Sequence, residues 1–213
     1  MAMSLDQWRD MVEHWAEVTA EPSSVDYVET TIANGVRAMW IVPHGAAHDR
    51  VLLCIKGGGF VTGSTFIYRK LFAHMAKAMG CRALTFEYRR SHEHKHPAQV
   101  EDSMTAYHWL LDQGISAKHI AVTSDSAGGG LVVSLLLRAR DTGFQPPAVS
   151  MPMSPWVDMA SSGATMSTNH GKDPLLTQES VDRLVEMFLA NGDDEAIRRL
   201  AGWSRAKLDR SAA

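Results

Sequence analysis

Apolar residues recur along the chain at two spacings, and the order in which those spacings alternate sets the fold class. Leu5, Trp8, Val12 and Trp15 fall three to four residues apart, behind Ser4 with Gln7 three positions on. That serine–glutamine spacing is a capping box, which satisfies two free backbone N–H groups, so an amphipathic helix is predicted over about 5–17 with Trp8 and Trp15 packed inward. Strands are predicted near 25–32 and 36–42. Asn34-Gly35 between them signals a hairpin, because both residues accept positive φ.

From there strand and helix alternate. Val51–Ile55 is apolar at every position, as a parallel strand buried on both faces requires. A helix over about 67–79 follows, with Leu71, Phe72, Met75 and Met79 expected inward. Then come a strand over 83–87, a helix from Pro97 to about 112, a strand over 119–123, a helix from Gly128 to about 140 and a strand over 149–153. Alternation of this kind predicts an α/β fold: a mostly parallel sheet with helices on both faces. Val181, Leu184, Val185, Phe188 and Leu189 mark a further helix over 178–190, stopped by Asn191-Gly192. A last helix over about 193–208 carries Ile197, Leu200 and Ala201. No repeat or linker divides the chain, so 1–213 is expected to form one domain.

Composition narrows the function classes. With 213 residues and 45% hydrophobic content, a core of ordinary size is available. The net charge of −3 includes no block of like charges, which argues against a nucleic-acid partner or a membrane-surface arm. No run approaches the ~18 apolar residues of a membrane span, and the N-terminus has no apolar core of a signal peptide. Cys54 and Cys81 sit in apolar runs without the close spacing of a zinc or redox pair, so both are expected to be buried reduced thiols of a cytoplasmic protein. His92, His94 and His96 alternate around Glu93 in a way that admits a metal, but no cofactor is expected.

Two segments carry chemistry. The stretch from His119 to Val133 runs from a buried strand through Ser124-Asp125-Ser126-Ala127-Gly128-Gly129-Gly130 into a helix. A serine on such a tight strand-to-helix turn is held proud of the sheet, above a helix N-terminus that favours developing negative charge. Lys56-Gly57-Gly58-Gly59-Phe60 directly follows the first parallel strand. Three glycines let backbone N–H groups approach a ligand closely, as the donors of an oxyanion hole must. The alternative, a phosphate cradle, lacks both G-x-x-x-x-G-K-[ST] and G-x-G-x-x-G. Both segments end parallel strands, where open α/β sheets place their ligands.

These segments resemble the bacterial hormone-sensitive-lipase-like (family IV) esterases of the α/β-hydrolase fold. Lys56-Gly57-Gly58-Gly59-Phe60 is similar to their His-Gly-Gly-Gly-Phe, and Glu87-Tyr88-Arg89-Arg90-Ser91-His92-Glu93-His94 to D-Y-R-L-A-P-E-H. Pro97–Asp102 resembles P-A-A-V-E-D, and Ser124–Gly129 resembles G-D-S-A-G-G; Ser154-Pro155-Trp156-Val157-Asp158 and Asp173-Pro174-Leu175-Leu176 also match. The resemblance implies a carboxylic-ester hydrolase acting through an acyl-enzyme on a small-molecule ester. Ser126 would be the nucleophile, and the N–H groups of Gly58, Gly59 and Ala127 the oxyanion hole. Residues 1–20 and about 160–190 would form a cap, Asp158 and Asp173 would be structural, and pairing through an edge strand would make a homodimer.

The chain also departs from that family. Lys56 replaces the histidine that helps fix the glycine loop, Ser124 replaces a glycine, and Ser91-His92 replaces Ala-Pro. A lysine here either stabilises negative charge at the hole or, with its long stem, loosens the loop. The family's acid and histidine follow the nucleophile in that order. Here the sole histidine after Ser126 is His170, ahead of Asp173-Pro174-Leu175-Leu176. The block carrying strands seven and eight is expected to be missing, either from the gene or from its reading, and the intact mass (23.4 kDa for this sequence) separates the two. Without a base Ser126 is a weak nucleophile. The alternatives are a substitute base, His170 or a histidine of 92–96, and an inactive homologue retained as a binding or interaction protein.

Overall fold

The N-terminal capping box forms as the sequence predicts. In a computed structural model describing residues 4–91, 93–173 and 176–189, Ser4 Oγ accepts from the Gln7 amide (3.2 Å) and Gln7 Oε1 from the Ser4 amide (2.9 Å). Helix α1 (Leu5–Glu13) ends earlier than its apolar stripe and tightens into a 3₁₀ turn, His14–Val18. The tighter turn advances each residue by a larger angle, so the stripe drifts. Trp8 and Val12 pack with Ile67 and Tyr68, while Trp15 is exposed, against expectation.

Strands β1 (Val25–Thr31) and β2 (Arg37–Pro43) pair antiparallel. Asn34 and Gly35 between them adopt φ of +60° and +73°, as the hairpin signal requires. The remaining strands are β3 (Ala47–Ile55), β4 (Cys81–Phe86), β5 (Ile120–Asp125) and β6 (Val149–Met153), and the sheet order is β1-β2-β4-β3-β5-β6. β2 meets β4 antiparallel, and β4, β3, β5 and β6 run parallel. Side chains of β3 alternate between two cores. Leu52 and Cys54 face α2 (Thr65–Met79); Val51, Leu53 and Ile55 face α3 (Ala98–Asp112), α4 (Ser126–Asp141) and α6 (Gln178–Leu189). Helix α5 (Ala164–Thr168) is a single short turn.

On α2 the expected inward face is partly wrong. Phe72 is buried, but Leu71 and Met79 are exposed, and Ala73 and Ala76 take the sheet side. Small side chains let that helix lie close to the strands, so the largest apolar residues do not mark its buried stripe. On α6 the expected stripe holds, with Leu184, Phe188 and Leu189 buried. Cys54 and Cys81 are free, buried thiols. No described helix is long and apolar enough to cross a membrane. The predicted helix over 193–208 and its Asn191-Gly192 stop lie outside the described residues.

Candidate active site

Sheet register sets the two chemical segments side by side. Ile55 at the end of β3 is opposite Ser124 at the end of β5, so the glycine loop and the serine turn leave the same edge of the sheet as neighbours. Ser126 opens α4 with φ +51°, in the left-handed region that L-residues rarely occupy, at a cost of about 1–3 kcal/mol that only surrounding structure can hold. The hydroxyl-bearing residue thus stands at a helix N-terminus whose first amides lack intrahelical partners; Ala127 is the next residue. Trp156 N–H donates to the Ser126 carbonyl (3.0 Å) and locks the far side of the turn.

The glycines behind Ser126 are required by contact. A Cβ on Gly128 would strike the backbone carbonyls of Ile55 and Lys56, one on Gly129 would come within 2.9 Å of Pro155 Cα, and one on Gly130 would strike the Trp156 carbonyl. Ser124, in place of the family's glycine, is fully buried and donates its hydroxyl to the Ile55 carbonyl. The turn therefore forms despite the substitution, with the extra hydroxyl bonded to the adjacent strand.

In the facing loop, Gly58 and Gly59 have φ of +93° and +60°. The Gly58 carbonyl accepts from the amides of Val61 (3.1 Å) and Thr62 (2.9 Å) and from Thr62 Oγ1 (2.9 Å), which closes the loop. Leu184 of α6 lies directly over Gly59, and Phe188 stacks on Phe60 at 4.0 Å between centroids, with Trp156 on Phe60 at 5.5 Å. Helix α1 covers the other flank. Arg9 donates to both carboxylate oxygens of Glu93 (2.6 and 2.8 Å) and through Nε to the Val61 carbonyl (2.8 Å), while Glu13 accepts from Ser64 (2.6 Å). The Arg9 guanidinium holds the Glu93 carboxyl down to about 2.

Lys56 takes neither place the sequence allows it. Its side chain is 0% exposed and its ammonium lies 3.8 Å from the centroid of the Tyr88 ring and 3.9 Å from Glu87 Oε2. It is neither at the glycine amides nor free. Burial pulls its pKa down to about 8, opposed by the charge of Glu87. Tyr88, which sequence reasoning passed over, donates its hydroxyl to the carbonyls of Gly57 (3.0 Å) and Lys56 (3.2 Å). Beside Ser126, Asp125 accepts from Tyr68 (3.2 Å), and burial raises its carboxyl above the ordinary value. The signal for Tyr88 was its place just after the end of β4, whereas Tyr68 lies within α2 and had none; neither shows in the apolar pattern.

No side chain among the described residues is hydrogen-bonded to the Ser126 hydroxyl. His170 is exposed beyond α5, and its own amide donates to Ser167. His94 is exposed, and His96 packs its ring on Phe188 (5.1 Å), where burial lowers its pKa. His92 lies outside the described residues. Asp158 holds the amides of Ala160 and Ser162, a structural role as expected. A cleft of about 820 Å³ opens at the end of β4, lined by Arg37, Glu87, Tyr88 and Arg90, and it borders neither Ser126 nor the glycine loop.

Comparison with known proteins agrees with this architecture. Residues 52–209 match the profile of a family described as having the α/β-hydrolase fold. The chain is 38% identical over 157 residues to an acetyl-hydrolase of Streptomyces hygroscopicus, covering 73% of this chain and 52% of that one. It is 28% identical over 151 residues to the hormone-sensitive lipase of Mus musculus, covering 68% of this chain and 20% of that one. The crystal structure of an esterase from the bacterial hormone-sensitive lipase family superposes with a TM-score of 0.87 at 37% identity, over 94% of this chain and 67% of that one. The chain thus spans about half the length of the curated bacterial acetyl-hydrolase it matches.

Proposed function

The chain belongs to the α/β-hydrolase family, in its hormone-sensitive-lipase branch, and from that premise we propose that it carries the nucleophile and oxyanion half of a carboxylic-ester hydrolase. Ser126 Oγ attacks the ester carbonyl and the alcohol leaves. The acyl-enzyme is then hydrolysed by water, which releases the acid and restores the serine. Negative charge on the former carbonyl oxygen is taken by the N–H groups of Gly58, Gly59 and Ala127. The observation that carries this reading is the Ile55–Ser124 register, which sets a left-handed serine turn beside a left-handed glycine loop at one sheet edge. The esterase and acetyl-hydrolase names of the relatives support a short acyl ester as substrate.

Among the described residues no side chain accepts the proton of Ser126. Serine hydrolases stripped of triad members retain roughly 10³–10⁴-fold catalysis over water from the oxyanion hole and binding. A chain to which no base is supplied is therefore expected to turn over activated esters slowly. A fluorophosphonate probe tests the serine directly. Intact-mass analysis is expected to show one adduct on the wild type and none on Ser126→Ala. Equal labelling of both, or of neither, would contradict the assignment.

A further inference from the structure

The Lys56 side chain is fully enclosed at the back of the glycine loop, and its ammonium has no hydrogen-bond partner among the described residues. What it touches is the Tyr88 ring, at 3.8 Å from the centroid. Tyr88 is itself fully buried, and its hydroxyl reaches the Gly57 carbonyl at 3.0 Å. That carbonyl and the Gly58 N–H belong to one planar trans peptide unit, in which C=O and N–H point in opposite directions. Whatever holds the Gly57 carbonyl therefore aims the Gly58 amide.

We propose that Lys56 and Tyr88 are positioning residues: the ammonium seats the Tyr88 ring, the Tyr88 hydroxyl holds the Gly57 carbonyl, and the shared peptide plane points the Gly58 N–H at the site in front of Ser126. This inference rests on the hydrolase reading above for its catalytic meaning, though not for its geometry. It gives the replacement of the family's histidine a defined consequence, because an ammonium can be discharged. The charged groups around Lys56 are Glu87, Arg90, Glu13 and Arg9, with Glu87 and Glu13 favouring the cation and the two arginines opposing it. Desolvation outweighs them, and the amine loses its proton near pH 8. Above that point the cation–π contact is lost, since a neutral amine has no charge for the ring quadrupole to attract. The glycine loop is then set correctly below pH 8 and slackens above it.

The wild-type chain is the first test object. In a ¹H–¹⁵N spectrum followed from about pH 6.5 to about pH 9.5, the Gly58 amide is expected to shift with a single midpoint near 8. Lys56→Met is expected to abolish that transition, and Tyr88→Phe to uncouple Gly58 from it. If esters are turned over, wild-type kcat falls roughly tenfold across the same interval with KM within about twofold, and Lys56→Met is low and flat with pH. Lys56→Met is also expected to raise Tm, because it removes an ammonium buried without a hydrogen bond. A Gly58 amide that stays still through pH 8 in the wild type overturns the proposal, whatever the esterase assay shows. A Gly58 amide that titrates in a chain without turnover supports the positioning and tells against the hydrolase reading alone.

Discussion

The central strands of the sheet and its last described strand are built to different standards. β3 and β5 are sealed on both faces: Leu52, Leu53, Cys54 and Ile55 are 0% exposed, as are Ile120 and Val122. β6 pairs with β5 on one side only among the described residues, and its Val149 and Met153 are 52% and 39% exposed. Each of the three strands ends in backbone of positive φ, at Gly58 and Gly59, at Ser126 and at Ser154. The first two bends rest on a close-packed floor; the third rests on an open edge. The part of the site that the proposed function would ask to be accurate, Ser126 against the glycine loop, thus sits on the closely packed strands. The side on which the catalytic acid and histidine of the family would be sought is the loosely supported one.

The contrast is broken most sharply at Gly128. A methyl group there meets the Ser124 hydroxyl and two backbone carbonyls, that of Lys56 and that of Ile55 at 2.7 Å, and the carbonyls cannot swing aside. Gly128→Ala is expected to cost more than about 4 kcal/mol or to leave no folded protein, measured by urea unfolding. Next comes truncation within the central strand. Leu53→Ala is expected to cost about 2–5 kcal/mol, whereas Met153→Ala on β6 changes stability by less than about 0.5 kcal/mol. Equal losses at the two positions would mean that β6 is as well supported as β3.

The smallest effect concerns the clamp that ties α1 to the site. The Glu93 carboxyl is held below its unfolded value by Arg9, so the pair stabilises the folded state fully above the ordinary carboxylate range, near 4.5. That stability is lost as pH falls towards 2. Glu93 is 45% exposed on its side chain, which limits the contribution to about 1 kcal/mol. Glu93→Gln is expected to lower Tm by a few degrees at neutral pH and by nothing near pH 2. A difference that persists undiminished in acid would show that the contact acts through packing.

Much of this was legible in the chain itself. Runs such as Val51–Ile55 declare a strand sealed on both faces, because no other element needs five consecutive apolar side chains between turn signals. The tight turns were legible for a related reason: glycine strings after such strands have few other uses. Less visible were features that depend on what approaches from elsewhere. Nothing in the spacing of α2 says that Ala73 and Ala76, and not Leu71 and Met79, meet the sheet. The Arg9–Glu93 clamp joins residues 84 positions apart, and the seat of Lys56 on Tyr88 joins neighbouring strands. The long stem of Lys56 suggests mobility until the closed wall around it is seen. The order of histidines raised the question of a base for Ser126, and among the described residues no side chain is bonded to its hydroxyl.

The central claim is that Ser126 is a nucleophile facing prepared oxyanion donors. Hydrolysis of p-nitrophenyl acetate by wild type and Ser126→Ala, on protein of confirmed intact mass, tests it most directly. Slow hydrolysis above the solvent rate that disappears in Ser126→Ala is the predicted result. Rates indistinguishable from solvent in both, from folded protein, would contradict it.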